Sequence, residues 1–487
     1  MTERAARTGA RAVLMIWDGL RPDMVTPERT PNLYRLAAEG VRFARSHAVF
    51  PTVTRVNSAS ISTGTLPAAH GIPGNTFYAR AINETRALNT GNWDDIRALQ
   101  AHRNGQLLAR PTLAELIATH GGRTAVVSTG SPGSALIQHP DVEACGDLLC
   151  NPAIWYGTER ATLEAKLGPM PEKSLPNTAQ NAWFTRLITD HVLPEVRPTL
   201  LTFWHTDPDH TQHARGIDHP DTLRAIGDAD ANLGALLVAL ERLDLRASTN
   251  LFITSDHGFC TISGHLDVAA ALIEAGLKQS THSADVIVTG TAIYLRENGP
   301  EAVARVTTAI QRLEGMGLTF SGARGAPVAP GTLPIAAVGV DGALAPDILF
   351  SPDWNDAPNA HGVPGSAWSP PGAATATHGS IAPWDVHNTM IAAGPDFKRG
   401  LVSETAAGNP DIAPTLAHLL GLSALPRFDG RVLHEALAGD PNPGALETKK
   451  QVLRAEGTSG TQHLQLSHVG ETVYVDYGWV QRASQTG

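Results

Sequence analysis

The sequence predicts an α/β protein with a mainly parallel central sheet covered by helices on both faces. Three observations predict it: short apolar runs alternate with helical stretches, each run breaks off into polar residues, and two of the runs flank a long amphipathic stretch. Residues 12–17 (AVLMIW) form the first run and stop at Asp18-Gly19. Residues 124–128 (TAVVS) follow a helical stretch at 111–120. Residues 199–204 (TLLTFW) end just before His205-Thr206-Asp207, and residues 250–254 (NLFIT) just before Asp256-His257. Continuous apolar runs of this length are how strands buried on both faces read. Between the last two, residues 221–243 place Leu223, Ile226, Leu233, Leu236, Leu237 and Leu240 at helical spacing. Strand, amphipathic helix, strand implies a right-handed βαβ unit. Ligands of open α/β sheets bind beyond the carboxyl ends of the strands, and three of the Asp-containing segments fall at those ends.

Composition narrows the function classes. Of 487 residues, 42% are hydrophobic and 17% charged, which excludes wholesale disorder. With 37 Lys+Arg against 47 Asp+Glu, the net charge of −10 argues against a basic surface for nucleic-acid polymers. An anionic substrate stays open, because bound metal ions reverse the sign locally. Cys145, Cys150 and Cys260 are not a disulfide framework, and none forms a CxxC knuckle. Cys145 and Cys150 read as buried or half-buried thiols. The apolar run near the start is too short for an export signal or a membrane span, so the expectation is a cytoplasmic protein with no membrane partner.

Further along, residues 271–345 read as an insertion. They hold strands at 285–289 and 292–295, a helix at 300–313 and a Gly/Pro-rich stretch at 322–334. Residues 352–376, rich in Pro, Gly and Ala, read as a loop over the site. Residues 463–468 and 473–477 alternate around Val469-Gly470-Glu471 as a surface β-hairpin would.

The chemistry sits at the strand ends. Asp18 closes the first run, and Asp256-His257 follows another. Asp209 and His213 are four apart and face the same way on a helical turn. His378-Gly379 precedes the apolar segment 389–393. Mixed carboxylate and imidazole ligation suits zinc, with manganese or iron as alternatives. Six such ligands are too many for one tetrahedral ion and fit two, an arrangement that clamps the attacking and leaving oxygens of an in-line phosphoryl transfer. Thr54, ahead of the small-residue stretch 58–63 that ends at Gly64, sits where a helix N-terminus offers positive potential and free N–H groups. His205, His210, His265 and His361 are competing histidines. His205 and Asp207 read as supports behind the ligands, and Arg21 and Asp23 as surface or structural contacts.

These segments, in this order, resemble a known group. IWDGLRPD (16–23), PTVTRVNSASISTGTLPAAHGIPGN (51–75), DPDHTQH (207–213), TSDHGF (254–259), THGS (377–380) and NPDIAPTLAHLLGL (409–422) look like the alkaline phosphatase superfamily. Within it they look most like the type I phosphodiesterase/nucleotide pyrophosphatase family. The resemblance spans roughly residues 11–435 and implies an alkaline-phosphatase-like three-layer fold. It further implies that Thr54 is the nucleophile of a covalent intermediate. Asp18, Thr54, Asp256 and His257 would hold one zinc, and Asp209, His213 and His378 the other. Asn75 would donate a hydrogen bond to a phosphate oxygen. The family carries Lys before the threonine and Phe after it, where this chain has Val53 and Arg55. Arg55 adds a bidentate donor to the substrate side, which tilts weight toward monoesters or phosphonates. Asn75, a neutral donor, favours a diester with its single charge.

The resulting expectation is a hydrolase domain over residues 1–440, with 271–345 as an inserted lid and 441–487 as a β extension. It would be a zinc enzyme cleaving phosphodiester or nucleotide pyrophosphate bonds of small phosphate esters. The alternatives are a phosphonate or phosphate monoester hydrolase and a catalytically silent metal-binding scaffold. A sulfatase is disfavoured, because no Cys-x-Pro-x-Arg segment is present.

Overall fold

Register at the centre of the main sheet explains why the acidic residues meet. In the computed structural model, which describes residues 11–372, 375–439 and 446–482, Arg11–Trp17 pairs in parallel with Thr249–Thr254 on one side and Leu200–His205 on the other. Ile16 stands opposite Thr254, and Trp17 opposite His205. Asp18, Asp256 and the segment leading to Asp209 therefore leave three adjacent strands at one level.

The sheet has nine strands among the described residues. They run in the order Leu401–Ser403, Val41–Phe43, Met390–Ala393, Thr249–Thr254, Arg11–Trp17, Leu200–His205, Thr124–Ser128, Leu148–Cys150 and Trp155–Tyr156. Met390–Ala393 is antiparallel to both neighbours, and Trp155–Tyr156 is antiparallel to Leu148–Cys150; the other pairs are parallel. Alternate side chains of the first strand go to opposite faces. Val13, Met15 and Trp17 pack with Ile226, Leu233, Leu236 and Leu240 of the helix Pro220–Arg242. Ala12, Leu14 and Ile16 pack with Ile412 and Leu416 of the helix Ile412–Leu419. Both faces are covered, so the strand is apolar throughout and the fold is the expected three-layer α/β arrangement.

The helix Thr54–Thr63 begins at Thr54 and ends where Gly64 takes φ 67°. Its small residues let the helix Pro132–Gln138 approach closely: Gln138 donates to the Ser58 carbonyl at 2.9 Å and Ser58 Oγ donates to the Ser134 carbonyl at 3.3 Å. The predicted helix at 111–120 is Leu113–Thr119, opened by a Thr112/Glu115 capping box.

The region 271–345 contributes Val286–Thr289, Ala292–Leu295, Met316–Ser321 and Leu333–Pro334 to a five-stranded sheet, with the helix Pro300–Ile310 alongside. Ile348–Pro352 joins that sheet from beyond the expected boundary. Thr289 Oγ1 donates to Thr76 Oγ1 at 2.6 Å, which docks this sheet on the segment just after Asn75.

Three expectations need correction. The C-terminal hairpin is present as Gly460–Val469 paired with Thr472–Arg482, but Lys449–Gly457 adds a third strand and the element is not confined to the surface. Leu464, Leu466 and Val475 pack with Leu318, Phe320 and Leu349, so one face is core. The alternation seen in sequence reported a face buried against another part of the chain. The boundary expected at 440/441 lies outside the described residues. Within 352–376, Trp354–Asn355 and Ser366–Ser369 form strands rather than loop, in a sheet with Cys260–His265 and Ala376–Thr377. Cys145 is exposed rather than buried, while Cys150 and Cys260 are buried. No helix among the described residues is long and apolar enough to cross a membrane.

Candidate metal centre and active site

Seven residues singled out in the sequence come together beyond the carboxyl edge of the sheet. Asp18 and Asp256 leave neighbouring strands, His257 follows, and Asp209 and His213 lie on the helix Asp209–Arg215. His378 follows the strand Ala376–Thr377, and Thr54 opens its helix. His213 and His378 place Nε2 at 3.2 and 3.3 Å from Asp209 Oδ1. His257 Nε2 lies 3.2 Å from Asp256 Oδ2, 3.5 Å from Asp18 Oδ1 and 3.3 Å from Thr54 Oγ1.

The outer contacts of these groups decide what faces inward. Each histidine directs Nδ1 at a backbone carbonyl: His213 at Ala376 (2.9 Å), His257 at Gly258 (2.9 Å) and His378 at Thr52 (2.8 Å). A carbonyl only accepts, so the hydrogen sits on Nδ1 and Nε2 presents a lone pair to the centre. Asp18 Oδ2 accepts from Trp204 Nε1 at 3.0 Å, and Asp256 Oδ1 from the Gly19 amide at 3.1 Å. The remaining oxygens, Asp18 Oδ1, Asp209 Oδ1 and Asp256 Oδ2, are buried and have no hydrogen-bond partner. In the neutral form of these imidazoles, lone pairs of nitrogen and oxygen thus face one another at 3.2–3.5 Å. Buried polar atoms are ordinarily satisfied, and this donor set fits cations.

The electrostatics point the same way. Burial, then the charges of Asp256 and Asp209, raises the Asp18 carboxyl well above the usual range. Burial, followed by Asp209, pushes Asp256 up to about 8. Burial also pushes Asp209 up, but His213 and His378 outweigh it and hold the group well below the ordinary value. Burial lowers His213, yet Asp209 overrides it and brings it to about 9. Carboxylates gathered in a dry pocket repel one another unless positive charge joins them.

Two sets of three could each hold an ion: Asp18, Asp256 and His257, and Asp209, His257 and His378. His257 borders both. The first set gathers Asp18, Asp256 and His257, three of the four residues expected together. In the second, His213 reaches in through Asp209 from a more exposed position, its side chain 37% accessible.

Asn75 and Arg55 flank the start of the Thr54 helix. Asn75 Oδ1 accepts from the Arg55 amide at 2.8 Å, which leaves Nδ2 to donate elsewhere. The Arg55 guanidinium reaches Thr90 Oγ1 (3.4 Å) and Asn89 Oδ1 (3.3 Å). Burial draws Arg55 down to about 10, opposed by Asp18, Asp209 and Asp256, so the guanidinium stays charged and feels the centre. The helix is capped at Val53 without a side chain, so the Thr54 hydroxyl is not spent on capping.

Among the competing histidines, His361 and His265 are exposed, and neither they nor His210 belong to a candidate group. His205 is fully buried with both ring nitrogens unpartnered, and Asp207 accepts from Thr211 Oγ1 and the Asn177 amide, so neither side chain bonds a ligand; His205 supports Asp18 only through its carbonyl, which accepts from the Asp18 amide at 3.1 Å. Of the two contacts expected of Arg21, the structural one is found: it is buried and bonded to Asp23 and to the Phe259 and Pro364 carbonyls. Sequence reading missed three supporting groups. Trp204 holds Asp18, and the Thr52 carbonyl holds His378. Three buried asparagines lie behind Asp256. Apolar patterning marks Trp204 as core and gives no signal for an asparagine whose partners are distant in sequence.

Comparison with known proteins agrees with this architecture. The model of the type I phosphodiesterase / nucleotide pyrophosphatase family matches residues 12–355. Venom phosphodiesterase 2 of Crotalus adamanteus is 28% identical over 254 residues, 52% of this chain and 27% of that protein. Bis(5'-adenosyl)-triphosphatase enpp4 of Xenopus laevis is 24% identical over 263 residues, 52% of this chain and 48% of that protein. The match thus spans about a quarter to a half of these relatives' lengths. Among solved structures, murine ectonucleotide pyrophosphatase/phosphodiesterase 5, an inactive form in complex with AMP, superposes with a TM-score of 0.62 at 18% identity. That alignment covers 88% of this chain and 100% of the other.

Proposed function

The chain belongs to the type I phosphodiesterase/nucleotide pyrophosphatase family, and we propose that it is a zinc-dependent hydrolase of phosphodiester or nucleotide pyrophosphate bonds working through a covalent threonine intermediate. The observation that carries this reading is the set of three unpartnered carboxylate oxygens facing three imidazole Nε2 atoms, with Thr54 Oγ1 at 3.3 Å from one of them. Asp18, Thr54, Asp256 and His257 would hold one ion, and Asp209, His213 and His378 the other. When bound, the two ions supply Lewis acidity that lowers the pKa of a hydroxyl and offsets charge developing on phosphate oxygens.

The chain's own residues do the rest. Thr54 Oγ attacks phosphorus in line as the bond to the leaving oxygen breaks, and the proton from Thr54 leaves with the departing alcohol or phosphate. Water then cleaves the phosphothreonyl ester, returning a proton to Thr54 and releasing the phosphate product. Asn75 Nδ2 donates to a non-bridging oxygen, its side chain pinned by the Arg55 amide. The helix N-terminus at Thr54 adds partial positive charge.

Steady-state kinetics on bis-p-nitrophenyl phosphate and p-nitrophenyl phosphate test the substrate class, with higher kcat/KM expected on the diester. A preference for the monoester would move the assignment to a monoester or phosphonate hydrolase, the direction in which Arg55 points. Thr54→Ala is expected to abolish turnover while metal content is retained. Full activity in that variant would remove Thr54 as nucleophile.

A further inference from the structure

Behind the centre lies a chain of three asparagines, Asn57, Asn388 and Asn409, each 0–1% exposed. Asn409 Nδ2 donates to Asn57 Oδ1 at 2.9 Å and to the Asp256 backbone carbonyl at 2.7 Å. Its Oδ1 accepts from Asn388 Nδ2 at 2.9 Å. Asn388 Nδ2 also donates to the Ser255 carbonyl, and Asn388 Oδ1 accepts from Ser46 Oγ at 2.6 Å. Asn57 Oδ1 accepts from the Val49 amide at 2.7 Å, and its Nδ2 donates to the Val49 and Val53 carbonyls at 3.0 and 3.2 Å. Backbone carbonyls accept only, so each amide has one permitted orientation.

The placement of this ladder is what matters. Asn57 lies one turn into the helix that Thr54 opens and binds the Val49–Val53 approach to it. The other hydrogen of Asn409 holds the backbone of Asp256, next to His257. One carboxamide therefore spans the two segments that carry the hydroxyl and the ligand 3.3 Å from it. We propose that Asn409 is a positioning residue, fixing Thr54 relative to Asp256 and His257 through Asn57. The proposal rests on the reading of Thr54 given above. It touches neither substrate nor metal. It acts by removing the freedom of the helix start to slide against the strand end, and displacement of a reacting group by about 1 Å can lower a rate about 100-fold.

The test is kinetics of the full-length, metal-replete protein on bis-p-nitrophenyl phosphate for Asn409→Ser, Asn57→Ser and the double variant, with elemental analysis of each. Asn409→Ser is expected to lower kcat about 100-fold, with KM changed less than about threefold and metal per chain unchanged. Because both side chains act through one bridge, the double variant is expected to lose no more than about threefold beyond the worse single variant. A merely structural asparagine would lower the melting temperature and leave kcat per folded chain alone, so a kcat within about twofold of the parent overturns the proposal. Multiplicative losses in the double variant also overturn it. Should Asn409→Ser fail to fold, Asn388→Ser decides instead by stripping the support from Asn409 Oδ1. A kcat about tenfold lower is expected there, and an unchanged kcat overturns the role. Full activity in Thr54→Ala with a normal effect of Asn409→Ser would fault the nucleophile assignment and not the bridge.

Discussion

Two of the places where histidines face aspartates are candidate ion sites, and the distances in them differ. At the strand ends, imidazole Nε2 atoms stand 3.2–3.5 Å from carboxylate oxygens that have no hydrogen-bond partner. Against the C-terminal sheet, His47 Nε2 stands 2.7 Å from Asp476 Oδ1, with His387 alongside at a ring separation of 4.9 Å. Both trios bring ligand-type atoms close enough to be candidate ion sites. In the second, His47 Nδ1 faces the Ala407 carbonyl at 2.8 Å, so each ring nitrogen meets an acceptor at hydrogen-bond distance. Asp476 accepts further bonds from Ser467 Oγ and Gln465 Nε2. Two ligands of one zinc, each about 2.0–2.1 Å from it, would stand farther apart than 2.7 Å at a tetrahedral angle. The lesson is that residue type alone does not distinguish a metal site from a buried ion pair; the unfilled bonding capacity of the oxygens does.

The largest expected effect breaks the comparison at the strand ends. Asp209→Ala is expected to lower metal content from about two ions per chain to about one, and kcat by about a thousandfold or more. Elemental analysis and diesterase kinetics check both. The same change at the other cluster should do something different. His47→Ala leaves Asp476 as a buried carboxylate without its partner, an alteration that costs about 3–5 kcal/mol. Urea unfolding should show that loss while metal content stays at the parental value.

Acid offers a finer probe. Burial, helped by the charge of His47, pushes His387 down to about 4, below the ~6.5 of an unfolded histidine. The folded state therefore binds fewer protons than the unfolded state between these values. The contribution of His387 is complete above pH ~6.5 and is lost as pH falls toward 4, at most about 1.4 kcal/mol per pH unit. Asp411, raised by burial to about 6, works in the opposite sense, so the informative quantity is the difference between parent and His387→Gln. Unfolding free energies at pH 7, 6 and 5 are expected to fall less steeply in the variant; a steeper fall would contradict the assignment. The smallest effect concerns Arg55, whose charge lies within reach of Asp18, Asp209 and Asp256. Arg55→Ala is expected to lower kcat/KM about tenfold on p-nitrophenyl phosphate and about threefold or less on the diester. Equal losses would remove its role in reading phosphate charge.

The sequence made the centre of the sheet and the ligand set legible for a physical reason. Strands such as Arg11–Trp17 are buried on both faces, so they read as unbroken apolar runs, and their ends mark where polar residues emerge. Asp18, Asp209, His213, Asp256, His257 and His378 were found by position, and the structure brings them together. Short members of the sheet, such as Val41–Phe43 and Leu401–Ser403, carry too few residues for a periodic signal. Lys449–Gly457 is mostly exposed and polar, so nothing marked it as a third strand. The amide ladder was invisible because Asn57 and Asn409 stand 352 positions apart and an isolated asparagine reads as turn or surface.

Anomalous diffraction from crystals of the metal-replete protein, collected across the zinc absorption edge, tests the central claim most directly. Two peaks are expected, one beside Asp18, Asp256 and His257 and the other beside Asp209, His213 and His378, with none between His47, His387 and Asp476. Density confined to the His47 trio, or a strand-end centre without a peak in protein that hydrolyses the diester, would contradict the account.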